Sequence, residues 1–481
     1  METTKKLGLW TLVMLIFVPT FGFGNITTNA VALGPAAIPS WLAVSLLFFL
    51  PLSGMIAELA SANNGKGGGI YTWIESTLGP KWAYIGTWSY FIANLFYLQM
   101  VFSRIPVMVS WAIFGENRFN DSNAYLLPYI ALALALILTW VATKGVKTFS
   151  KLSDFGGKFT LAATIIFIVF AILGYFTGTP SATEFTASTV IPELNTSYFS
   201  TFSWLLFAVA GAEVAGTYIS EVENPKKNFP KAVIIATALV AVSYIIGSVS
   251  VCLIASPEVL ENAGLKDAGY VVYKILAENW GISGKLIVQL YAAILTLTSI
   301  AAYILWMESP IRAMFSEVPE GTFPSFLTKK AEDGTLKNAL WTQCVIVLIL
   351  IAVPLMGLNS IDSFFKLLTD LSSLSLVIPY IVLIAAYLVF RLKDNQAPFT
   401  MFKSKALALS VSVLALVLSI AGFFGAGLDY IVGAESTAEA VKSITMTYGG
   451  PVILIILGYV LTLLTKAAHK KKNNNDISKA S

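Results

Sequence analysis

Residues 18–25 read Val18-Pro19-Thr20-Phe21-Gly22-Phe23-Gly24-Asn25 and lie midway along an apolar run, residues 9–33. About twenty apolar residues in a helix cross roughly 30 Å of hydrocarbon. A proline and two glycines at the centre weaken the helix where a spanning segment most needs an unbroken hydrogen-bond ladder. A membrane tolerates such a break only where the freed backbone groups face protein or a water-filled cavity. A second run, residues 198–220, carries a comparable break at similar depth: Phe207-Ala208-Val209-Ala210-Gly211-Ala212-Glu213. The two breaks are an odd number of crossings apart, so the second arises in the opposite membrane orientation. Interrupted helices in matching positions of two inverted halves point to a transporter's binding site.

Outward from these breaks, hydropathy gives twelve candidate spans: 9–33, 36–60, 83–114, 123–143, 155–176, 198–220, 232–255, 282–314, 339–356, 362–388, 405–425 and 447–466. No strand-period alternation competes with them, and backbone groups in lipid are satisfied within helices. The expected fold class is therefore an all-α polytopic membrane protein of 12 transmembrane helices, broken in helices 1 and 6. Composition agrees: of 481 residues, 56% are hydrophobic and only 12% charged, about half the charged fraction of a soluble domain. A soluble enzyme, a nucleic-acid binder and a secreted disulfide scaffold are excluded. Cys252 and Cys344 lie in apolar runs and read as reduced packing residues. With a single histidine, His469, in the polar tail, no cofactor or metal is expected. The first run continues past Gly22 without a small-residue cleavage signal, so it is read as a mature helix.

With the N-terminus placed inside, the cytoplasmic segments hold 24 of the 31 Lys and Arg residues, and the outer loops five. Arg104 and Lys366 fall within spans. The asymmetry predicts a multi-pass plasma-membrane protein with both termini cytoplasmic. The polar tail, residues 467–481, is expected to be disordered. Gly65-Lys66-Gly67-Gly68-Gly69 lacks the spacing and the Lys-Ser/Thr ending of a P-loop, which leaves it a tight turn.

Several motifs resemble the amino acid–polyamine–organocation superfamily, and within it the bacterial amino acid antiporters. They are the glycine-rich break in span one, Ala57-Glu58-Leu59-Ala60, Gly67-Gly68-Gly69-Ile70-Tyr71-Thr72-Trp73 and Leu78-Gly79-Pro80. The second half adds Gly211-Ala212-Glu213, the loop Glu223-Asn224-Pro225-Lys226-Lys227-Asn228-Phe229-Pro230, and Ser309-Pro310-Ile311-Arg312. The resemblance implies two inverted five-helix repeats, residues 1–176 and 198–388, with peripheral helices in 405–466. A bundle would rock around a central substrate. Glutamate–GABA and arginine–agmatine antiporters look like relatives, the glutamate–GABA and tyrosine–tyramine exchangers the nearest group. Val18 to Trp41 looks most like exchangers paired with amino acid decarboxylases, the tyrosine–tyramine type in particular.

A free amino acid carries a carboxylate and an ammonium. A helix N-terminus offers unpaired N–H groups and partial positive charge to the first. Freed carbonyls of a broken helix suit the second. Gly22 and Gly24 let backbone approach a ligand, and Ala208, Ala210 and Gly211 leave similar room. Thr20 and Asn25 offer side-chain bonds, Asn25 alternatively as a cap of the second half-helix, and Phe23 belongs to the same stretch. The resemblance adds Phe207 and Trp306 as aromatic walls. Ionisable residues in spans are functional candidates by default. Glu213 is expected to couple a proton or an amine to transport, and Glu308 is a second candidate for that role. Glu308 stands about 200° around an ideal helix from Trp306, so both face one cavity only if the helix is distorted. Lys366 and Asp370, four apart, read as an internal ion pair.

The leading expectation is an antiporter of an amino acid against its decarboxylated amine, tyrosine–tyramine first among the pairs. A proton-coupled amino acid importer and glutamate–GABA or histidine–histamine exchangers are the alternatives. Its partners are those small molecules, the lipid bilayer and, in a homodimer, a second copy of the chain; no nucleic acid is expected.

Overall fold

The computed structural model describes residues 6–63, 69–120, 122–123, 125–144, 147–213, 222–316, 323–332, 334–352 and 361–480. The first span is two helices, α1 (Leu9–Thr20) and α2 (Phe23–Leu33), joined through extended Phe21 and Gly22. Gly34, at φ +53°, turns the chain into α3 (Ala37–Val44). A π-helical turn, Ser45–Phe49, leads on to α4 (Leu50–Ala62). After the short α5 (Ile70–Leu78), Gly79 at φ +84° and Pro80 start α6 (Pro80–Phe114). Its 35 residues make a rod of about 52 Å, longer than the hydrocarbon core. Then come α7 (Leu126–Ala142), α8 (Lys147–Phe176), α9 (Ala187–Val190) and α10 (Thr196–Ala208).

After the second break, Pro225 takes the first helical position of α11 (Pro225–Ile254), where a missing N–H is harmless. It continues through α12 (Pro257–Asn279), α13 (Gly284–Ser316), α14 (Ser325–Thr328), α15 (Lys337–Ala352) and α16 (Ile361–Leu392). The chain closes with α17 (Lys405–Gly425), α18 (Leu428–Val432), α19 (Thr437–Ile444) and α20 (Gly450–Ala480).

Among the described residues, eight segments are long and apolar enough to cross a membrane. Leu9–Val18, Leu126–Ala142 and Lys337–Ala352 are shorter apolar helices. Each hydropathy span falls on one or more of these helices as far as it is described, and among the described residues the only strand-like pairing is an isolated parallel bridge between Leu7 and Val222. The molecule is an all-α polytopic membrane protein. The most apolar window of α6 is 83% buried, against 28% for α17 and 22% for residues 437–465. So α6 forms the axis, packed against α13 and α16, while α17 and α20 face outward. Glycine permits close approach to the broken first span: a side chain at Gly157 would overlap Val18, and one at Gly247 would overlap Ile26.

Three findings differ from the sequence reading. The α12 helix lies outside all twelve spans. Its start is fixed by Pro257 and by the Ser256 hydroxyl accepting from the Val259 amide, and it bends at Gly264, φ +66°. The polar tail expected to be disordered is helical to Ala480, because extending an existing helix avoids the cost of nucleating one. Lys366 does not pair with Asp370. Its Nζ lies 3.5 Å from Asp429 Oδ2, and Asp370 Oδ1 accepts from Trp204 Nε1 at 2.6 Å.

Residues 64–68 of the glycine-rich turn and 214–221 after the second break lie outside the described residues. Glu58, quoted above only as part of a motif, is fully buried. Its carboxylate accepts from Arg391 Nη1 at 3.0 Å, Tyr387 Oη at 2.9 Å and the Met401 and Phe402 amides at 2.7 and 3.2 Å. A buried carboxylate needs such a full set of partners, and this one fastens α4 to α16 and the connection after it.

Candidate functional site

The backbone at the first break is released over only two residues. The Phe21 amide still bonds back to the Phe17 carbonyl at 2.8 Å, and the Asn25 amide reaches the Gly22 carbonyl at 2.9 Å. Between them α2 begins afresh, and the Phe23 and Gly24 amides at its start precede the first intrahelical bond. Gly24 in that turn is exposed. The Thr20 hydroxyl bonds back to the Ile16 carbonyl at 2.7 Å, so the backbone carbonyl of Thr20, not its side chain, is the group the break frees. Asn25 does not cap α2, whose N-cap is Gly22. Its amide donates instead to Tyr244 Oη at 3.0 Å.

At the second break α10 stops at Ala208, and Gly211 takes φ +126°, a conformation that a side chain would strain. The last carbonyls of α10 thus lose their helical partners, and α10 packs directly against α2. Glu213 is 3% exposed. Its Oε2 accepts from Tyr380 Oη at 2.9 Å and the Gly211 amide at 3.2 Å, and the Tyr90 hydroxyl bonds to it as well.

Tyr244, on α11, joins the two breaks. Its hydroxyl accepts from Asn25 and, at 3.4 Å, from the Gly22 amide. It stands 2.9 Å from the Thr20 carbonyl and 2.8 Å from the Ala208 carbonyl, the two acceptors for its one proton. Trp41 stacks on the tyrosine ring at 4.3 Å.

A cavity of about 320 Å³ opens between the breaks. Thr20, Gly22, Phe23, Gly24 and Asn25 line it from the first span; Phe207, Ala208, Ala210, Gly211 and Glu213 from the second break; and Trp306 from α13. Phe207 and Trp306 flank Tyr97, with ring centroids 6.2 and 5.6 Å from its ring. Glu308 is the exception among the expected site residues and does not line the cavity. Trp306 faces the cavity, and Glu308, two residues further on, lies outside its lining.

The sequence reading missed part of the lining. Arg104 and Tyr97 of α6 and Tyr303 of α13 face the cavity, and so do Lys266, Gly269 and Tyr270 of α12. Arg104 carried a signal, being a charge within a span; α12 carried none that a hydropathy scan detects. In chemical terms the site offers helix N-terminal amides opposite freed carbonyls, aromatic walls, one buried carboxylate and a guanidinium. That set matches a small zwitterion.

Residues 7–432 match the model of a family described as amino acid permease. Among curated proteins, the aspartate/glutamate permease AcaP of Lactococcus lactis subsp. cremoris is 27% identical over 98% of both chains. The inner membrane transporter YjeM of Escherichia coli is 26% identical over 96% of both. The glutamate/gamma-aminobutyrate antiporter of Lactococcus lactis subsp. lactis is 22% identical over 90% of this chain and 84% of its own.

Proposed function

The chain belongs to the amino acid permease family of the amino acid–polyamine–organocation superfamily, and from that premise we propose that it is a secondary active amino acid transporter that exchanges substrates by alternating access. The observation that carries the reading is the convergence of both helix breaks on one cavity, which Gly24 and Gly211 line together. Its volume of about 320 Å³ suits a small molecule. The substrate carboxylate sits at the first turn of α2, its ammonium at the freed carbonyls of α10, and its side chain against Tyr97, Phe207 and Trp306. Glu213, held by two tyrosines at the second break, is the group that exchanges a proton or answers an amine as the site opens to each side.

The counter-substrate is the decarboxylated amine of the imported amino acid. Tyrosine with tyramine is the pair that the aromatic walls, taken without the lining charges, would favour. A second substrate reading, an acidic amino acid, is favoured by Arg104 in the lining and by the names of two relatives, the aspartate/glutamate permease and the glutamate/gamma-aminobutyrate antiporter. Proteoliposomes test the exchange. Uptake of labelled amino acid should require unlabelled amino acid or amine inside. Equal uptake into empty vesicles would remove exchange and leave proton-coupled import.

A further inference from the structure

The charges that line the cavity are unevenly satisfied. The basic lining residues are Arg104 and Lys266, and the acidic one is Glu213. Glu213 has its donors in Tyr380, Tyr90 and the Gly211 amide. Arg104 has no equivalent. Among the described residues no carboxylate forms an ion pair with it, and its Nε is buried without a hydrogen-bond partner. Tyr97, Tyr270 and Tyr303 interact electrostatically with the guanidinium, and all three line the cavity with it. Its Nη1 lies 4.0 Å from the point where a side chain on Gly24 would begin. The fork therefore opens beside the first turn of α2, within reach of whatever that turn binds.

We propose that Arg104 is the cation of a side-chain carboxylate subsite, and that the transported amino acid is acidic, with the chemistry of aspartate or glutamate. The inference rests on the cavity being the amino acid site. A cation removed from water is costly unless it is paired, and a guanidinium binds a carboxylate through two parallel hydrogen bonds. The α-carboxylate has its own partners in the amides and partial positive charge of the α2 terminus. The guanidinium thus remains for a second carboxylate. Tyrosine, net neutral, leaves it unpaired, and tyramine adds a second positive charge beside it. An acidic amino acid neutralises it. The aromatic walls then serve the substrate's carbon chain and exclude water around the pair, which strengthens it.

Counterflow into proteoliposomes holding the full-length protein decides the matter, with L-glutamate, L-aspartate, L-glutamine, L-asparagine, L-tyrosine and tyramine as competitors. The acids should inhibit at concentrations at least tenfold below those of their amides. Arg104→Gln should weaken the acids by roughly a hundredfold, as loss of one partner in a buried charge pair does. It should change the amides little, and Arg104→Lys should keep part of the preference. Equal potency of glutamate and glutamine on the unaltered protein would overturn the proposal, and that comparison needs no variant to fold. So would a preference for tyrosine or tyramine. A uniform loss across the panel in Arg104→Gln would also overturn it, by making Arg104 an anchor for the α-carboxylate. Those outcomes leave amino acid transport standing. Absence of counterflow by any amino acid would remove both readings.

Discussion

Tyr244 does what no local motif announces: one hydroxyl answers four groups from two chain breaks, at sequence separations from 36 to 224 residues. It is one of nineteen tyrosines in an apolar chain, and nothing within a few residues of it marks the role. The glycines of the breaks were legible because helix propensity is a local property. Glu308 was only half legible: helix geometry set it away from Trp306's face, yet its charge kept it among the candidates, and the cavity lining does not include it. The Lys366–Asp370 pairing failed for the reason Tyr244 was missed: the partner that wins, Asp429, comes from a distant segment. Tyr244→Phe keeps the ring that stacks on Trp41 and removes only the hydroxyl. It should cost about 1–3 kcal/mol, the penalty for leaving buried donors and acceptors unmade, and slow transport because the two breaks lose their common tie. Thermal unfolding in detergent and initial uptake rates check this. Unchanged values in both would demote the hydroxyl to a packing contact.

At the scale of elements, interrupted helices exposed themselves in the sequence and α12 did not. A hydropathy scan asks which segments suit lipid. The α12 helix carries Glu258, Glu261, Lys266, Asp267, Lys274 and Glu278 along its length and still lays Leu265, Gly269 and Tyr270 over the cavity, so its signal is the local one of Ser256, Pro257 and Glu258 at its start. The broken spans also meet outside the cavity. Leu7, just before α1, forms the bridge to Val222, just before α11, and the Glu223 amide donates to the Leu7 carbonyl at 2.9 Å. With Tyr244, this ties the first span to the chain that follows the second break, and the expected outcome is that the two move together around the substrate. Bridged residues lie about 4.8 Å apart, within disulfide range. The double variant Leu7→Cys with Val222→Cys should therefore keep exchange when oxidised. Loss of exchange on oxidation, restored by reductant, would mean the two segments separate during the cycle.

For the whole molecule, fold class and the position of the cavity were both readable from where apolar runs occur and where they break. Side-chain specificity was less so, because it depends on which of several spans turns a charge inward. Arg104 stood out as an intramembrane cation, yet only the assembled bundle places it beside Gly24. The energetics of the cycle are the same for either substrate class. Exchange of a zwitterion for a monocation, or of a monoanion for a zwitterion, moves one net charge per turnover, worth roughly 2.3 kcal/mol per 100 mV. A thiol at Gly24 shows whether the cavity between the breaks holds the transported substrate and opens to each side in turn. The two native cysteines are buried, and Gly24 is exposed with room for a Cβ. In Gly24→Cys vesicles, membrane-impermeant thiol reagents should label the site from both faces, and saturating substrate should suppress labelling. Labelling from one face alone, or labelling that no amino acid suppresses, would contradict the account.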